Sequence, residues 1–191
     1  MGAQYPQALW MPHEKYGYPQ GTQGRNGQAL RYVVVHGTGM PGSAQEVARY
    51  FQSSPVEAGT HFVIGRDGAV VQCCLIEDAA WGNGGPQPGA DPFWPRGINA
   101  NLLTVSIEHC KPSPDNREEL TEAQGQASFR LIRWLCERFG IPARAADAAG
   151  GIATHASIAP NDRAFCPGPY PWDDLYAYLH RPSGLRGEGQ E

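Results

Sequence analysis

The apolar residues of this chain fall into short, well-separated runs, and each run predicts an element. Arg31 to His36 carries Val33-Val34-Val35, β-branched on both faces, as a central strand covered on both sides requires. Ser43-Ala44-Gln45-Glu46 has the spacing of a capping box and opens a short helix to about Gln52. THFVIG (60–65), the turn Arg66-Asp67-Gly68 and AVVQCC (69–74) read as a hairpin. From Leu103 to Glu108 the pattern alternates: Leu103, Val105 and Ile107 point one way, Thr104, Ser106 and Glu108 the other. Thr121-Glu122-Ala123-Gln124 is a second capping box. It starts the longest helix, with Phe129, Ile132, Leu135, Cys136 and Phe139 on one face and Gly140 then Pro142 as its stop. Trp172, Leu175 and Leu179 predict a last helix.

Strands interleaved with helices predict an α/β fold: a single layered domain with a central mixed β-sheet flanked by helices. Its length of 191 residues suits one domain. The expected organisation is an irregular N-terminal arm over 1–28, one folded domain over 29–182 and a flexible tail over 183–191. Residues 82–101 read as a long Gly-, Pro- and Asn-rich loop.

Charge narrows the partners. A net charge of −4 and a pI near 5.8 argue against nucleic acid or an anionic membrane held by bulk electrostatics. No apolar run approaches the roughly 18 residues of a membrane span. The N-terminal segment has neither a basic start nor an apolar core, so the expectation is synthesis in the cytoplasm without a signal peptide, as a monomer. The five cysteines, an odd count, suit free or metal-bound thiols in a reducing compartment.

Gly37-Thr38-Gly39-Met40-Pro41-Gly42 matches G-x-G-x-x-G, but Pro41 removes a backbone donor that a pyrophosphate would need, and a plain turn explains the glycines better. His36, at the end of a buried strand, reads as a rim residue or as a ligand. His155 in GIATHASIAP and Cys166 in RAFCPGPYP are weak signals separately. Together, two histidines and a cysteine make an acceptable catalytic zinc set with a fourth position open, although spacing alone does not assemble it.

Five ordered segments carry a resemblance: VVVHGTG (33–39), AGTHFVIGRDGAVVQCC (58–74), DAAWGNG (78–84), NLLTVSIEH (101–109) and HASIAPNDRAFCPG (155–168). In this order they resemble the zinc-dependent N-acetylmuramoyl-L-alanine amidases, the family of phage endolysins, cytoplasmic wall-recycling amidases and peptidoglycan recognition proteins. The resemblance spans about residues 29 to 182 and implies one zinc per chain on His36, His155 and Cys166. It places Glu108 where some members carry an acid/base glutamate. It implies a structural role for His61, and makes Thr38, Trp81, Asn101 and Arg163 the substrate-binding candidates.

Three positions depart from the family pattern. A lysine often found two residues before the third ligand is Ala164, a tyrosine before the hairpin histidine is Thr60, and the histidine of A-W-H-A-G is Gly82. Arg163 is next to the missing lysine, but in an extended segment it would face away, which leaves zinc as the expected electrophile. The implied activity is cleavage of the amide between the lactyl group of N-acetylmuramic acid and L-alanine in peptidoglycan. Cys166, where the recycling branch has Asp, points to a wall-lysing endolysin. The alternatives are a cytoplasmic recycling amidase, a non-catalytic muropeptide-binding module, which commonly lacks a ligand, and a structural zinc site on an unrelated hydrolase.

Overall fold

The computed structural model describes residues 2–12, 21–53 and 57–182, so the tail expected over 183–191 lies outside the described residues. Strands β1 (Ala8–Trp10), β2 (Gly21–Thr22) and β3 (Tyr32–Gly37) precede helix α1 (Ala44–Ser53). Next come β4 (Phe62–Ile64), β5 (Val70–Gln72), β6 (Ala79–Ala80) and β7 (Thr104–His109). Helix α2 (Glu122–Phe139), strand β8 (Gly151–Thr154) and helix α3 (Trp172–Leu179) complete the chain. The main sheet has the order β1-β5-β4-β7-β3-β8, and a small ribbon pairs β2 with β6. Every neighbouring pair in the main sheet is parallel except the β4–β5 hairpin, so the sheet is mixed, as expected.

One face of the sheet packs Val33, Val35, Val105 and Ile107 against Ile132 and Leu135 of α2 and Leu175 of α3. The other face is covered by α1, through Ala44, Val47 and Ala48, and by the 82–101 loop, whose Trp94 ring meets Tyr32 at 4.5 Å, tilted by 45°. The first capping box forms in full: Glu46 N–H donates to Ser43 Oγ (3.3 Å) and Ser43 N–H to Glu46 Oε2 (2.8 Å). The second forms only in half. Gln124 N–H donates to Thr121 Oγ1 (3.1 Å), but the Gln124 amide turns inward to the carbonyls of Ile64 and Cys110 and ties α2 to the sheet. Helix α2 ends on Gly140 in the left-handed region (φ 67°), as its stop signal predicts.

Two expectations differ from the structure. Leu103 does not share a face with Val105 and Ile107: it closes the helical turn Ala100–Leu103 and packs with Tyr32 and Val34 on the opposite side. The N-terminal segment is not wholly irregular, because β1 extends the sheet beside β5 and β2 pairs with β6. Long-range polar contacts hold it there. Buried Gln72 exchanges hydrogen bonds with Gln4, and the buried Arg25 guanidinium donates to the carbonyls of Ile76, Asn101, Leu102 and Thr104.

Candidate metal centre and active site

Three chain segments converge at the ends of the parallel strands. His36 and Glu108 are register partners on β3 and β7, and both side chains lie on the face turned away from α2. His155 follows β8, β3's other neighbour, and opens a helical turn capped by Thr154 Oγ1, which accepts from Ser157 N–H (3.2 Å). Cys166 ends a run of turns, with its N–H donating to Arg163 O (2.9 Å) and Ala156 N–H donating to its carbonyl (3.3 Å). This strand-end location is where parallel sheets present their sites.

His36 Nδ1 stands 3.8 Å from Cys166 Sγ and 3.8 Å from Glu108 Oε1, and the His36 and His155 rings are 4.5 Å apart. The ligand-capable atoms of His36, His155 and Cys166 all lie within 4.8 Å of one another, and all three residues are buried. Those separations suit one ion with bonds of about 2.0–2.3 Å to nitrogen and sulfur. The unsatisfied polar atoms also fit: Glu108 Oε2 is buried without a protein partner.

Burial sets the charge states. Desolvation pushes His36 well below the usual histidine range and His155 to about 4, so both imidazoles are neutral donors at pH 7. Burial pushes the Cys166 thiol up to about 12, opposed by the Gly37 N–H, which donates to the sulfur at 3.5 Å, and by the charges of Arg163 and Lys111. Burial raises the Glu108 carboxyl to about 8, against the pull of Arg163.

Around the centre lies a groove with two arms that share His155, Asp162 and Arg163. One arm, of about 500 Å³, is lined by His36, Thr38, Glu108 and Cys166; the other, of about 510 Å³, by Trp81, Asn83 and Asn101. Thr38 Oγ1 is engaged with Lys111 N–H (3.0 Å) and the Met40 carbonyl (3.0 Å). Trp81 Nε1 donates to Thr22 Oγ1, and Asn101 Oδ1 accepts from Asn83 N–H (2.7 Å). Arg163 differs from the sequence expectation. Its segment turns rather than extends, with Arg163 N–H donating to Ala159 O (2.8 Å), and the residue lines both arms instead of facing away. Beneath the site, His61 accepts from Ser106 N–H at Nδ1 and is fully buried.

Sequence reasoning missed the residues that hold the site together. Asn116 accepts from Gly39 N–H (2.8 Å) and donates to Phe165 O (3.3 Å), bridging the turns beside His36 and Cys166. The buried ammonium of Lys111 donates to the carbonyls of Asn116 and Pro169. A Cβ at Gly168 (φ +75°) would lie 2.0 Å from the Asn116 carbonyl, so this crossing admits only glycine. Nothing in local periodicity signals such long-range ties.

Residues 26–169 match the N-acetylmuramoyl-L-alanine amidase family. The chain belongs to that family. It is an amide hydrolase of that class, and the family is generally zinc-dependent. No curated protein matches it in sequence. Among solved structures the amidase is similar to a selenomethionine derivative of AmpD, at 20% identity and a TM-score of 0.63 over 91% of this chain and 95% of that one. It also resembles the endolysin N-acetylmuramoyl-L-alanine amidase LysCS from Clostridium intestinale, at 18% identity and a TM-score of 0.62 over 93% of this chain and 98% of that one. AmpDh3 from Pseudomonas aeruginosa, solved with an anhydromuramic pentapeptide, matches at 18% identity and a TM-score of 0.60 over 80% of this chain and 60% of that one. The TM-scores, at identities this low, show a shared fold.

Proposed function

We propose that the amidase binds one zinc ion through His36, His155 and Cys166 and cleaves the bond between the lactyl group of N-acetylmuramic acid and L-alanine, acting on intact wall as an endolysin. The observation that carries the reading is the convergence of three buried donors within 4.8 Å beside a buried carboxyl. When bound, zinc supplies a Lewis-acidic centre that polarises the scissile carbonyl and brings the acidity of water towards neutrality.

The chain's own groups do the rest. The two neutral imidazoles and the thiol, once it has lost its proton, hold the ion; the Gly37 N–H steadies the thiolate. Glu108, raised to about 8 and lining the cavity, is matched to proton transfer near neutral pH. In its ionised form it takes a proton from the attacking water, and the acid so formed returns that proton to the departing alanine nitrogen. Arg163 supplies the positive charge that faces the developing oxyanion, the task left open by Ala164. The catalytic unit comprises residues 29–182 and works as a monomer, with Thr38, Trp81 and Asn101 lining the path of the substrate. A thiol as third ligand, in place of the recycling branch's aspartate, supports the endolysin role.

The test is to incubate purified wall with the zinc-loaded protein and assay new N-terminal alanine and new reducing ends. Alanine amino groups without reducing ends are expected. Reducing ends alone, or neither product, would overturn the amidase. Faster turnover of a soluble anhydromuropeptide than of intact wall would overturn the endolysin role and favour recycling.

A further inference from the structure

Asn83 accounts for hydrogen bonds that the rest of the site leaves open. It is 5% exposed, in a loop bounded by Gly82 and Gly84. A Cβ at Gly82 would lie 2.9 Å from the Gly59 carbonyl, so the loop runs close against its neighbours and turns Asn83 inward. Both hydrogens of its amide are used, Nδ2 donating to Thr104 Oγ1 (2.8 Å) and Ser106 Oγ (2.9 Å), on the polar face of β7. Its backbone N–H donates to Asn101 Oδ1 (2.7 Å). Two acceptors remain, Oδ1 and the main-chain carbonyl.

The two histidines need acceptors of that kind. A neutral imidazole carries one N–H and one lone pair, and the lone pair must face the metal. His36 turns Nδ1 towards Cys166 and Glu108, so its proton belongs on Nε2. His36 Nε2 and Asn83 Oδ1 are both buried and both lack a hydrogen-bond partner among the described residues, one a donor and the other an acceptor. His155 needs the same kind of acceptor, and Asn83 lines the same arm of the groove as His155.

We propose that Asn83 is the positioning residue of the metal centre: Oδ1 takes the Nε2–H of His36, and the main-chain carbonyl takes the ring N–H of His155. One residue thereby fixes the tautomer and tilt of both imidazoles, and each presents its remaining nitrogen to the ion. Thr104 and Ser106 act one step behind, because by accepting from Nδ2 they decide which end of the amide faces His36. The inference rests on the zinc amidase reading but is tested without turnover.

The test is long-range ¹H–¹⁵N correlation on the metal-free full-length protein at neutral pH, with zinc affinity measured by chelator competition. His36 is expected as a single Nε2–H tautomer. Asn83→Leu should mix the His36 tautomers and weaken zinc about 10–100-fold, the usual effect of losing such a partner. Asn83→Asp, which keeps an acceptor, should restore the Nε2–H tautomer and most of the affinity. A wild-type His36 protonated on Nδ1 would overturn the proposal, as would an Asn83→Leu protein with unchanged tautomer and affinity. If Asn83→Leu does not fold, the wild-type spectrum and Asn83→Asp still decide. A failure of the amidase reading looks different: zinc-loaded protein would release no alanine amino groups from wall, whatever the tautomer.

Discussion

The two faces of the β3–β7 strand pair are built from alternate residues of the same segments, yet they follow opposite rules. Towards α2, Val33, Val35, Val105 and Ile107 meet a largely apolar helix face, and the buried polar pair on this side, His109 and Ser128, meets its needs internally, ring nitrogen to hydroxyl at 2.8 Å. On the reverse, His36, Thr104, Ser106 and Glu108 run as a polar stripe, nearly as well buried. Burying such groups is unfavourable unless each finds a partner, so this face needs Asn83, Thr60 and the 82–101 loop to meet its hydrogen bonds. The apolar face specifies the fold. The polar face, held dry and rigid by it, is free to carry chemistry.

Substitutions on either side can break that division. The largest expected effect is Glu108→Gln, which should lower turnover by about 10²–10⁴ while zinc stays bound. The same change reads out the burial of the stripe. A carboxyl raised from 4.5 to about 8 makes the metal-free protein lose stability as pH rises through that window, and Glu108→Gln should abolish that loss in thermal melts. On the apolar face, Leu135→Ala should cost about 2–5 kcal/mol in denaturant unfolding and leave turnover per folded, zinc-loaded molecule unchanged. A fall in turnover per folded molecule would show that the faces are not independent.

Smaller effects sharpen the comparison. Arg163→Ala should reduce kcat/KM by about 10–100-fold with zinc content unchanged, and a loss below threefold would remove the arginine from the reaction. Because the Cys166 thiol sits near about 12, zinc binding must displace its proton, while both histidines are already neutral at pH 7. Chelator competition should therefore show affinity falling about tenfold for each pH unit lowered between roughly 8 and 6. A slope near zero would mean the thiol is not a ligand.

Where sequence periodicity and structure coincide, as in β3, the β4–β5 hairpin, β7 and α2, one side of the element packs on a continuous apolar surface. Strands β1, β6 and β8 have two to four residues each, too few for any period to show, and exist through pairing with distant partners. Leu103 misled because its alternation continues that of Val105 and Ile107 into what is a helical turn. Arg163 departs from expectation for the same reason: the sequence implies extended geometry where the backbone turns. The convergence of His36, His155 and Cys166 was legible only through resemblance, since it depends on β8 lying beside β3. Asn83 left no signal, because a Gly-Asn-Gly loop looks the same whether its amide faces water or an imidazole.

The placement of β3 between β7 and β8 has a consequence for assembly. His36 is among the earlier structured residues of the chain, but Cys166 lies 130 residues further on, and His36 does not reach His155 and Cys166 until β8 has docked beside β3. Closing so long a loop is among the slow, non-local events of folding. During synthesis an early imidazole and a late thiol cannot capture a metal together, so incomplete chains are protected from trapping one in the wrong arrangement. Metal uptake then marks the last stage of maturation, and resistance to proteolysis should rise in one step when the ion enters.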